Sequence, residues 1–184
     1  MIDRLKHLDT ELFLWLNSKH NTFFDVMMYW ATYKYTWIPL YIFLLFLVWK
    51  KLGKKTLLVT ICAGALILLS DQISVHCFKE VFQRYRPCYN LLIQNQIHLI
   101  DGCGGKYGFV SSHAANTFAL ALFLSLLFKK RRFTVLIFLW ATVVSYTRIY
   151  AGVHYPADVL GGAALGMIMA TIMAKIFYYW EPKF

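Results

Sequence analysis

The stretch RIYAGVHYPADVLGG, residues 148–162, places an arginine, a histidine and an aspartate within an otherwise apolar region. His154 stands four residues before Asp158. At that distance a carboxylate is able to hydrogen-bond one nitrogen of the imidazole ring and leave the other free as a base or nucleophile. Ionisable residues among membrane segments are costly to bury and indicate a functional site by default. We therefore take Arg148, His154 and Asp158 as candidate site residues.

A second group of cations lies in the segment KEVFQRYRP, residues 79–87. Lys79, Arg84 and Arg86 are predicted to lie close together at the end of a helix that Pro87 terminates. Long basic side chains at a membrane surface are ordinarily explained by snorkelling towards water. This cluster, however, falls on the side that the positive-inside rule leaves poor in lysine and arginine. Its position indicates that it binds an anion.

The third segment, GFVSSHAANTFAL at residues 108–120, reads as the start of a helix. Ser111 and Ser112 are placed to cap that helix, and helix N-termini attract phosphate groups. His113 falls in the first turn, near the expected anion. On its own, this segment is explained as well by a serine cap beside an interfacial histidine.

Together the three segments offer cations, a helix N-terminus and two histidines, one of which has a carboxylate partner. Phosphoryl transfer needs charge neutralisation at three oxygens, a nucleophile and a proton donor for the leaving group. Asp71 and Asp101 stand apart in the sequence, so we expect no Mg²⁺ site, and the spacings typical of zinc sites are absent. The pattern predicts hydrolysis of a phosphate ester without a metal or other cofactor. It does not decide which histidine attacks phosphorus.

Composition places the supporting elements in a membrane. Of the 184 residues, 59% are hydrophobic and 15% are charged, whereas an ordinary soluble domain is about 25% charged. Five charge-free runs cover residues 35–49, 56–70, 114–128, 133–147 and 159–174. Each is shorter than the roughly 20 residues that a spanning helix needs, so each must extend through polar residues at one end. We expect an all-α, polytopic transmembrane bundle of five to six spans, forming one domain over residues 1–184.

Charge placement predicts the orientation of this bundle. The net charge of +10 would suit a nucleic-acid partner, but many of the positive residues fall in two clusters, 50–55 and 129–132, between apolar runs. The positive-inside rule predicts that both clusters are cytoplasmic. All the candidate site residues then lie on the opposite, periplasmic face of an inner membrane. The expected partners are the lipid bilayer and a lipid phosphate, with no nucleic acid.

The remaining segments carry weaker expectations. Residues 1–20 lack the apolar core of a signal peptide, and their helical periodicity predicts an amphipathic interfacial helix. Residues 23–33 are apolar but short, and predict either a re-entrant half-helix or part of a sixth span. The long connection 88–108 favours a functional lid or binding loop. Cys88 and Cys103 bracket it, and an oxidising compartment would permit a disulfide between them.

The last apolar run also contains closely spaced small residues, namely Gly161, Gly162 and Gly166. Small residues at this spacing allow the backbones of two helices to approach closely. We therefore expect the last span to pack tightly against a neighbour.

The three segments resemble the signature of the type 2 phosphatidic acid phosphatase family, whose soluble relatives include vanadium haloperoxidases. The family pattern is Lys, six residues, Arg-Pro; then Pro-Ser-Gly-His; then Ser-Arg, five residues, His, three residues, Asp. Lys79, Arg86 and Pro87 meet the first part in full. The later parts are matched by Ser111, His113, Arg148, His154 and Asp158, with departures at Val110, Ser112 and Thr147. The departures concern local loop geometry and leave the catalytic side chains in place.

The resemblance implies a role for each matched residue. His154 would attack phosphorus and form a phosphohistidine, Asp158 would orient it, and His113 would protonate the leaving oxygen. The phosphate oxygens would be held by Lys79, Arg86, Arg148, Ser111 and backbone N–H groups near Ser112. Water would then release inorganic phosphate, with no metal required.

The expected activity is therefore that of an integral-membrane lipid phosphatase. Small bacterial members of the family often act on undecaprenyl pyrophosphate, which is the first substrate expected, with lipid A phosphate and phosphatidylglycerol phosphate as alternatives. A phospholipid-binding or transport protein would use the same cations without needing the pair of His154 and Asp158. A vanadate-dependent oxidase is disfavoured because those relatives are soluble.

Overall fold

The computed structural model describes residues 2–183, and every regular element within that range is helical. In chain order these helices are α1 (Ile2–Asn17), α2 (Thr22–Thr32), α3 (Ile38–Leu52), α4 (Thr56–Ile73), α5 (Glu80–Phe82), α6 (Ser112–Phe128), α7 (Arg131–Tyr150) and α8 (Pro156–Trp180). A bridge between Tyr85 and Tyr107 is the one strand-like pairing in this part of the chain. The predicted all-α class is confirmed.

Helix α6 lies at the centre of the bundle and packs against α4, α7 and α8. Its sequence, SHAANTFALALFLSLLF, is apolar nearly all the way round, as expected for a helix with neighbours on every side. Most of its side chains are buried. The surrounding core includes Leu66 from α4, Trp140 from α7 and Phe177 from α8.

Two glycines bring α8 into close contact with α6. A Cβ atom added at Gly162 would lie 2.3 Å from the carbonyl oxygen of Ser111, and one at Gly166 would lie 2.1 Å from that of Ala115. Any side chain would therefore force the two backbones apart. The close approach lets the Ser111 N–H donate a hydrogen bond of 2.9 Å to the Asp158 carbonyl. It thus joins the start of α6 to the first turn of α8, and it confirms the expected tight helix pair.

The two basic clusters meet at one end of the bundle. Lys51 donates hydrogen bonds of 2.8 Å to the carbonyl oxygens of Leu127 and Phe128. These carbonyls belong to the last turn of α6 and have no partner within the helix, so the lysine satisfies them. Residues 50–55 and 129–132 therefore share one end, as the predicted orientation requires.

Three segments are long and apolar enough to cross a membrane: Lys34–Phe82, Arg131–Tyr150 and Pro156–Trp180. The first of them contains both α3 and α4. Helix α6 is also apolar but shorter, with 17 residues. The chain is thus a membrane protein with a helical bundle, and the predicted total of five to six spans stays a prediction.

Helix α1 has the expected amphipathic character, although it ends at Asn17 rather than at residue 20. Leu5, Leu8 and Trp15 are exposed, whereas Phe13 is fully buried. Its buried face packs against the facing ends of α7 and α8.

Helix α2 occupies the short apolar segment that was predicted to be a half-helix or part of a sixth span. Its 11 residues rise about 1.5 Å each, so the helix covers roughly half of the ~30 Å hydrocarbon core. A short turn, Lys34–Trp37, separates it from α3, and it packs against α7. The helix is too short to cross a membrane by itself.

The contact between α6 and α8 gives a stability prediction. We expect Gly166→Ala to destabilise the fold by about 1–3 kcal/mol, the usual cost of overpacking, because the new methyl group would displace the α6 backbone. Gly64→Ala is the matched control, since it also lies in an apolar helix but has nothing within 4 Å of an added Cβ. The melting temperature in detergent should fall for the first variant and not for the second. Equal melting temperatures would contradict the close approach.

Candidate active site

The residues predicted to carry the chemistry meet at the end of the bundle opposite the basic clusters. They line a cavity of about 400 Å³. Its lining includes Lys79, Arg86, Ser112, His113, Arg148 and His154. Ser111 and Asp158 lie behind this lining, and both are fully buried. The fold therefore brings together residues from all three sequence motifs.

Lys79 reaches the cavity from a widened, π-helical turn, Ser74–Lys79, that continues α4. Such turns are rare and often occur at functional sites. The ammonium group donates a hydrogen bond of 2.7 Å to the Ser112 hydroxyl, which also pairs with the Ser74 hydroxyl. The lysine is thus held by a neutral partner and keeps its charge available.

The helix that carries Lys79 ends earlier than the sequence suggested. Helix α5 stops at Phe82, where Gln83 adopts the left-handed conformation with φ of 47°. The prediction that Pro87 terminates this helix is therefore wrong. Pro87 instead opens a separate turn, Pro87–Tyr89.

Arg86 is held by the long connection between α5 and α6. Its guanidinium donates hydrogen bonds to the carbonyl oxygens of Cys103, at 3.1 Å, and Tyr107, at 3.3 Å. Its backbone N–H donates to the carbonyl of Lys106. The disulfide that the sequence permits joins Cys88 to Cys103. The loop predicted to be functional therefore positions a cation at the cavity.

Arg148 lies in the last turn of α7 and donates a hydrogen bond to the Thr32 hydroxyl of α2. Its Nε atom is buried and has no hydrogen-bond partner in the described chain. Buried polar groups are nearly always paired, so an unpaired guanidinium nitrogen beside a cavity indicates an anionic ligand. Thr32 was not predicted, because no pattern in the sequence links α2 to α7.

The start of α6 differs from the predicted serine cap. Ser111 is the N-cap residue, but its hydroxyl makes no hydrogen bond within residues 2–183, and the Ser112 hydroxyl is engaged by Lys79. The first N–H groups of a helix have no intrahelical partners and carry the positive end of the dipole. This arrangement suits a phosphate group. The His113 side chain, in the first turn, is accessible from the cavity.

His154 and Asp158 are only 2% and 0% exposed. The His154 Nδ1 atom lies 3.5 Å from the Asp158 Oδ2 atom, so the predicted hydrogen bond is not formed at this distance. Catalytic hydrogen bonds are often long before a substrate binds and shorten afterwards. Because Nδ1 faces the carboxylate, Nε2 is the nitrogen that is left for the cavity.

The protonation of His154, in the turn between α7 and α8, follows from its surroundings. Burial lowers its pKa well below the ordinary value of 6.5, and the positive charges of Arg86, Arg148 and Lys79 lower the pKa further. Each of these effects disfavours a further positive charge on the His154 ring. The imidazole is therefore neutral near pH 7, which a nucleophile requires.

Arg84 does not share the role of its neighbours. Its guanidinium donates hydrogen bonds to Asp158 Oδ1 at 2.9 Å and to Asp9 Oδ2 at 2.6 Å. The prediction that it joins Lys79 and Arg86 in one anion-binding cluster is therefore wrong. Lys79, Arg86 and Arg148 donate hydrogen bonds to hydroxyl or carbonyl oxygens, whereas Arg84 is neutralised by two carboxylates.

The cavity is poorly suited to a divalent cation. Asp71 is the one carboxylate in its lining among the described residues, and Mg²⁺ is usually bound by carboxylates together with substrate phosphates. Elsewhere, ligand atoms of His20, Asp25 and His98 lie within 4.8 Å of one another. The two rings are stacked, 3.7 Å apart and 3° from parallel, so their in-plane lone pairs do not meet at one ion. This group does not line the cavity.

The family model of the PAP2 superfamily matches residues 55–182, which include every predicted site residue. The chain belongs to the PAP2 superfamily. It is 40% identical over 169 residues to the lipid A 4'-phosphatase of Bacteroides thetaiotaomicron, covering 90% of this chain and 75% of that protein. It is 34% identical over 184 residues to the lipid A 4'-phosphatase of Porphyromonas gingivalis, covering 99% and 78%.

Similarity extends to other PAP2 proteins. An undecaprenyl-diphosphatase of Sulfolobus acidocaldarius is 29% identical over 173 residues, covering 91% of this chain and 78% of that protein. The crystal structure of Aquifex aeolicus LpxE superposes with a TM-score of 0.67 at 29% identity, covering 91% of this chain and 95% of that one. The resemblance to type 2 phosphatidic acid phosphatases is thus confirmed, and this PAP2 protein is a membrane lipid phosphatase.

The PAP2 match begins just before α4, so the first three helices lie outside it. They nevertheless supply Thr32, which contacts Arg148, and Asp9, which contacts Arg84. The sequence held a usable signal for Asp9, because Asp9, Phe13 and Asn17 recur every four residues on one face of α1. For Thr32 there was no such signal.

The loop contacts of Arg86 give a prediction for this PAP2 site. Replacing both Cys88 and Cys103 with serine should lower kcat/KM for a lipid phosphate by about ten- to a hundredfold, the effect of misplacing one substrate-positioning group. Cys77→Ser is the control, because Cys77 is an exposed free thiol. Phosphate release in detergent would measure both variants. An unchanged kcat/KM in the double variant would show that the disulfide does not position Arg86.

Proposed function

We propose that this PAP2 protein hydrolyses a phosphate monoester of lipid A through a phosphohistidine formed on His154. The observation that carries the proposal is the convergence of two histidines with Lys79, Arg86 and Arg148 on one cavity. Around that cavity lie buried polar atoms without partners in the described chain: Ser111 Oγ, Asn116 Oδ1 and Arg148 Nε. A polar ligand would satisfy such atoms.

In the first step, His154 Nε2 attacks phosphorus while Asp158 stabilises the Nδ1 side of the ring. The P–N bond forms as the P–O bond to the lipid breaks. His113, whose protonated form is favoured once the phosphate anion binds beside it, donates a proton to the leaving oxygen, and the dephosphorylated lipid departs as an alcohol.

In the second step, a water molecule attacks the phosphohistidine. His113, now neutral, takes a proton from that water, and the P–N bond breaks to give inorganic phosphate and free His154. The same histidine thus acts first as an acid and then as a base, which balances the protons over one turnover.

The negative charge of the transition state is stabilised by cations that form no salt bridge with a carboxylate of the described chain. Lys79, Arg86 and Arg148 make hydrogen bonds to hydroxyl or carbonyl oxygens, and no carboxylate in residues 2–183 forms a salt bridge with them. Together with the start of α6 at Ser111 and Ser112, they provide donors for three phosphate oxygens. The mechanism needs no metal.

The relatives support lipid A over undecaprenyl pyrophosphate, the substrate first expected. Two relatives named lipid A 4'-phosphatase are 40% and 34% identical to this chain, and two named undecaprenyl-diphosphatase are 29% and 26% identical. The names of these two relatives lead us to propose that the phosphate removed is the one at the 4' position. The cavity also extends between apolar side chains, including Trp37, Tyr41 and Trp140, as an amphiphilic substrate requires.

The proposed setting is the inner membrane, with the site at its periplasmic surface. The basic clusters at the opposite end support this orientation through the positive-inside rule. Helices α3, α4, α6, α7 and α8 then form five spans. Because α1 and α2 contribute contacts to the site, we treat residues 1–184 as a single phosphatase domain.

The test is phosphate release by the purified protein in detergent with EDTA present. The panel of substrates contains lipid A, undecaprenyl pyrophosphate and phosphatidylglycerol phosphate. We expect kcat/KM to be highest for lipid A and to be unaffected by EDTA. A higher kcat/KM for another lipid would overturn the substrate assignment, and loss of activity in EDTA would overturn the metal-free mechanism.

His154→Ala tests the chemistry itself. We expect this variant to lose at least about a thousandfold in kcat, as is usual when a nucleophile is removed, and to trap no phosphoenzyme after an alkaline quench, which preserves the P–N bond that the wild type forms. His7→Ala is the control, because the His7 side chain is exposed on α1. A wild-type protein that binds lipid phosphates without releasing phosphate would instead be the binding or transport protein of the alternative hypothesis.

A further inference from the structure

Helix α1 braces the turn that carries His154. Asn17, at its C-terminal end, donates hydrogen bonds to the carbonyl oxygens of Ile149, at 3.3 Å, and Tyr150, at 2.8 Å, where α7 ends. Eight residues earlier, Asp9 accepts a hydrogen bond of 2.9 Å from the Ala157 N–H, where α8 begins. One face of α1 therefore contacts both helix ends that frame the nucleophile.

The middle of this face also contacts the turn. The Phe13 ring packs edge-on against the Tyr155 ring, with 5.3 Å between centroids, and Phe13 is fully buried. The Arg84 guanidinium lies over the Tyr155 ring, 4.1 Å from its centroid. Arg84 is therefore confined by an aromatic ring as well as by its carboxylate partners.

Arg84 connects α1 directly to the site. It donates from Nη2 to Asp9 Oδ2 and from Nη1 to Asp158 Oδ1. The other Asp158 oxygen, Oδ2, accepts from the Tyr155 N–H at 3.0 Å and faces His154 Nδ1. A guanidinium is planar and rigid, so fixing one edge on Asp9 fixes the direction of the other edge.

We propose that Asp9 is a positioning residue for phosphate hydrolysis, acting through Arg84 on the Asp158 carboxylate that orients His154. The proposal rests on the proposed function of the site. Asp9 is held on both oxygens, by Arg84 and by the Ala157 N–H, and its side chain is 11% exposed. Such a carboxylate has a defined geometry, unlike one in a solvent-exposed ion pair.

The contacts of Asp9 and Arg84 suit a positioning role and not a role in binding the phosphate. Asp9 and Arg84 do not line the cavity, so they are not placed to bind the phosphate. Removing the Asp9 charge would free one edge of the guanidinium and let it rotate about the remaining bond to Asp158. The carboxylate would then lose its fixed orientation towards the His154 ring, while Lys79 and the other cavity cations would be unchanged.

The test compares Asp9→Asn with Glu11→Gln in the phosphate-release assay. Both substitutions remove one negative charge from α1, but the Glu11 side chain is 60% exposed and pairs with the exposed His7. Asp9→Asn should lower kcat by about ten- to a hundredfold, the effect of losing one charge-assisted hydrogen bond. KM should stay within about twofold, because the phosphate-binding groups are untouched. Glu11→Gln should match the wild type.

A double-mutant cycle separates positioning from a general structural effect. In an Asp158→Asn background, Asp9→Asn should cause no further loss of kcat, because the path through Asp158 is already broken. A multiplicative loss in that background, a rise in KM at constant kcat, or equal activity of Asp9→Asn and Glu11→Gln would each overturn the proposal.

Arg84→Lys tests the same connection from Asp9 through Arg84 to Asp158, and it serves as the second variant should Asp9→Asn fail to fold. Lysine keeps the charge but lacks the planar fork that bridges two carboxylates, so kcat should again fall with little change in KM. Wild-type kcat in Arg84→Lys would overturn the proposal. If the proposed function is wrong, the wild-type protein itself will release no phosphate. That result would overturn both the proposed function and the positioning role of Asp9.

Discussion

The carboxylate of Asp158 is buried without solvent access inside an apolar helical bundle. An unpaired charge in such a place is strongly destabilising, so the surrounding chain must supply donors. It does so with the guanidinium of Arg84 on one oxygen and the N–H of Tyr155 on the other. The Tyr155 N–H is available because it lies at the N-cap of α8, whereas mid-helix N–H groups are already paired. Arg84 lies in the irregular segment that follows α5. The carboxylate is therefore tied to the rim of the bundle, and His154, four residues away, is held there with it.

The cations at this end of the bundle are of two kinds, which differ in their hydrogen-bond partners. Arg84 is surrounded by carboxylates and is electrically satisfied. Lys79, Arg86 and Arg148 have hydrogen-bond partners that are uncharged, so their mutual repulsion is relieved only when an anion binds among them. This difference in partners, rather than the number of basic residues, supports the proposal that the cavity binds a phosphate. Close packing of α6 on α8 at Gly162 and Gly166 then brings the donors at the start of α6 to the same point.

Much of this arrangement could be predicted from residue types and spacing. Lys79, Arg86, His113, Arg148 and His154 were assigned to one site, and the structure places all five on one cavity. The five residues lie together because ionisable side chains are costly to expose to lipid and therefore face the interior of the bundle or a cavity. Arg84 was wrongly grouped with Arg86, because a sequence does not show which carboxylates lie nearby. The predicted serine cap is also absent within residues 2–183. The Ser111 hydroxyl makes no hydrogen bond there, and the Ser112 hydroxyl is engaged by Lys79, a contact between distant residues.

The sequence by itself determined the all-helical class, the basic end of the bundle and the identity of the groups that gather at the other end. Hydropathy and helical periodicity encode these features locally, so they can be read without knowing which helices touch. Only the tertiary structure decided which cations keep an available charge and which are neutralised, and that α1 reaches across to Asp158 through Arg84. Those outcomes depend on contacts between residues far apart in the chain, such as Asp9 and Arg84. Their distances are set by how the helices pack, and no local pattern records them.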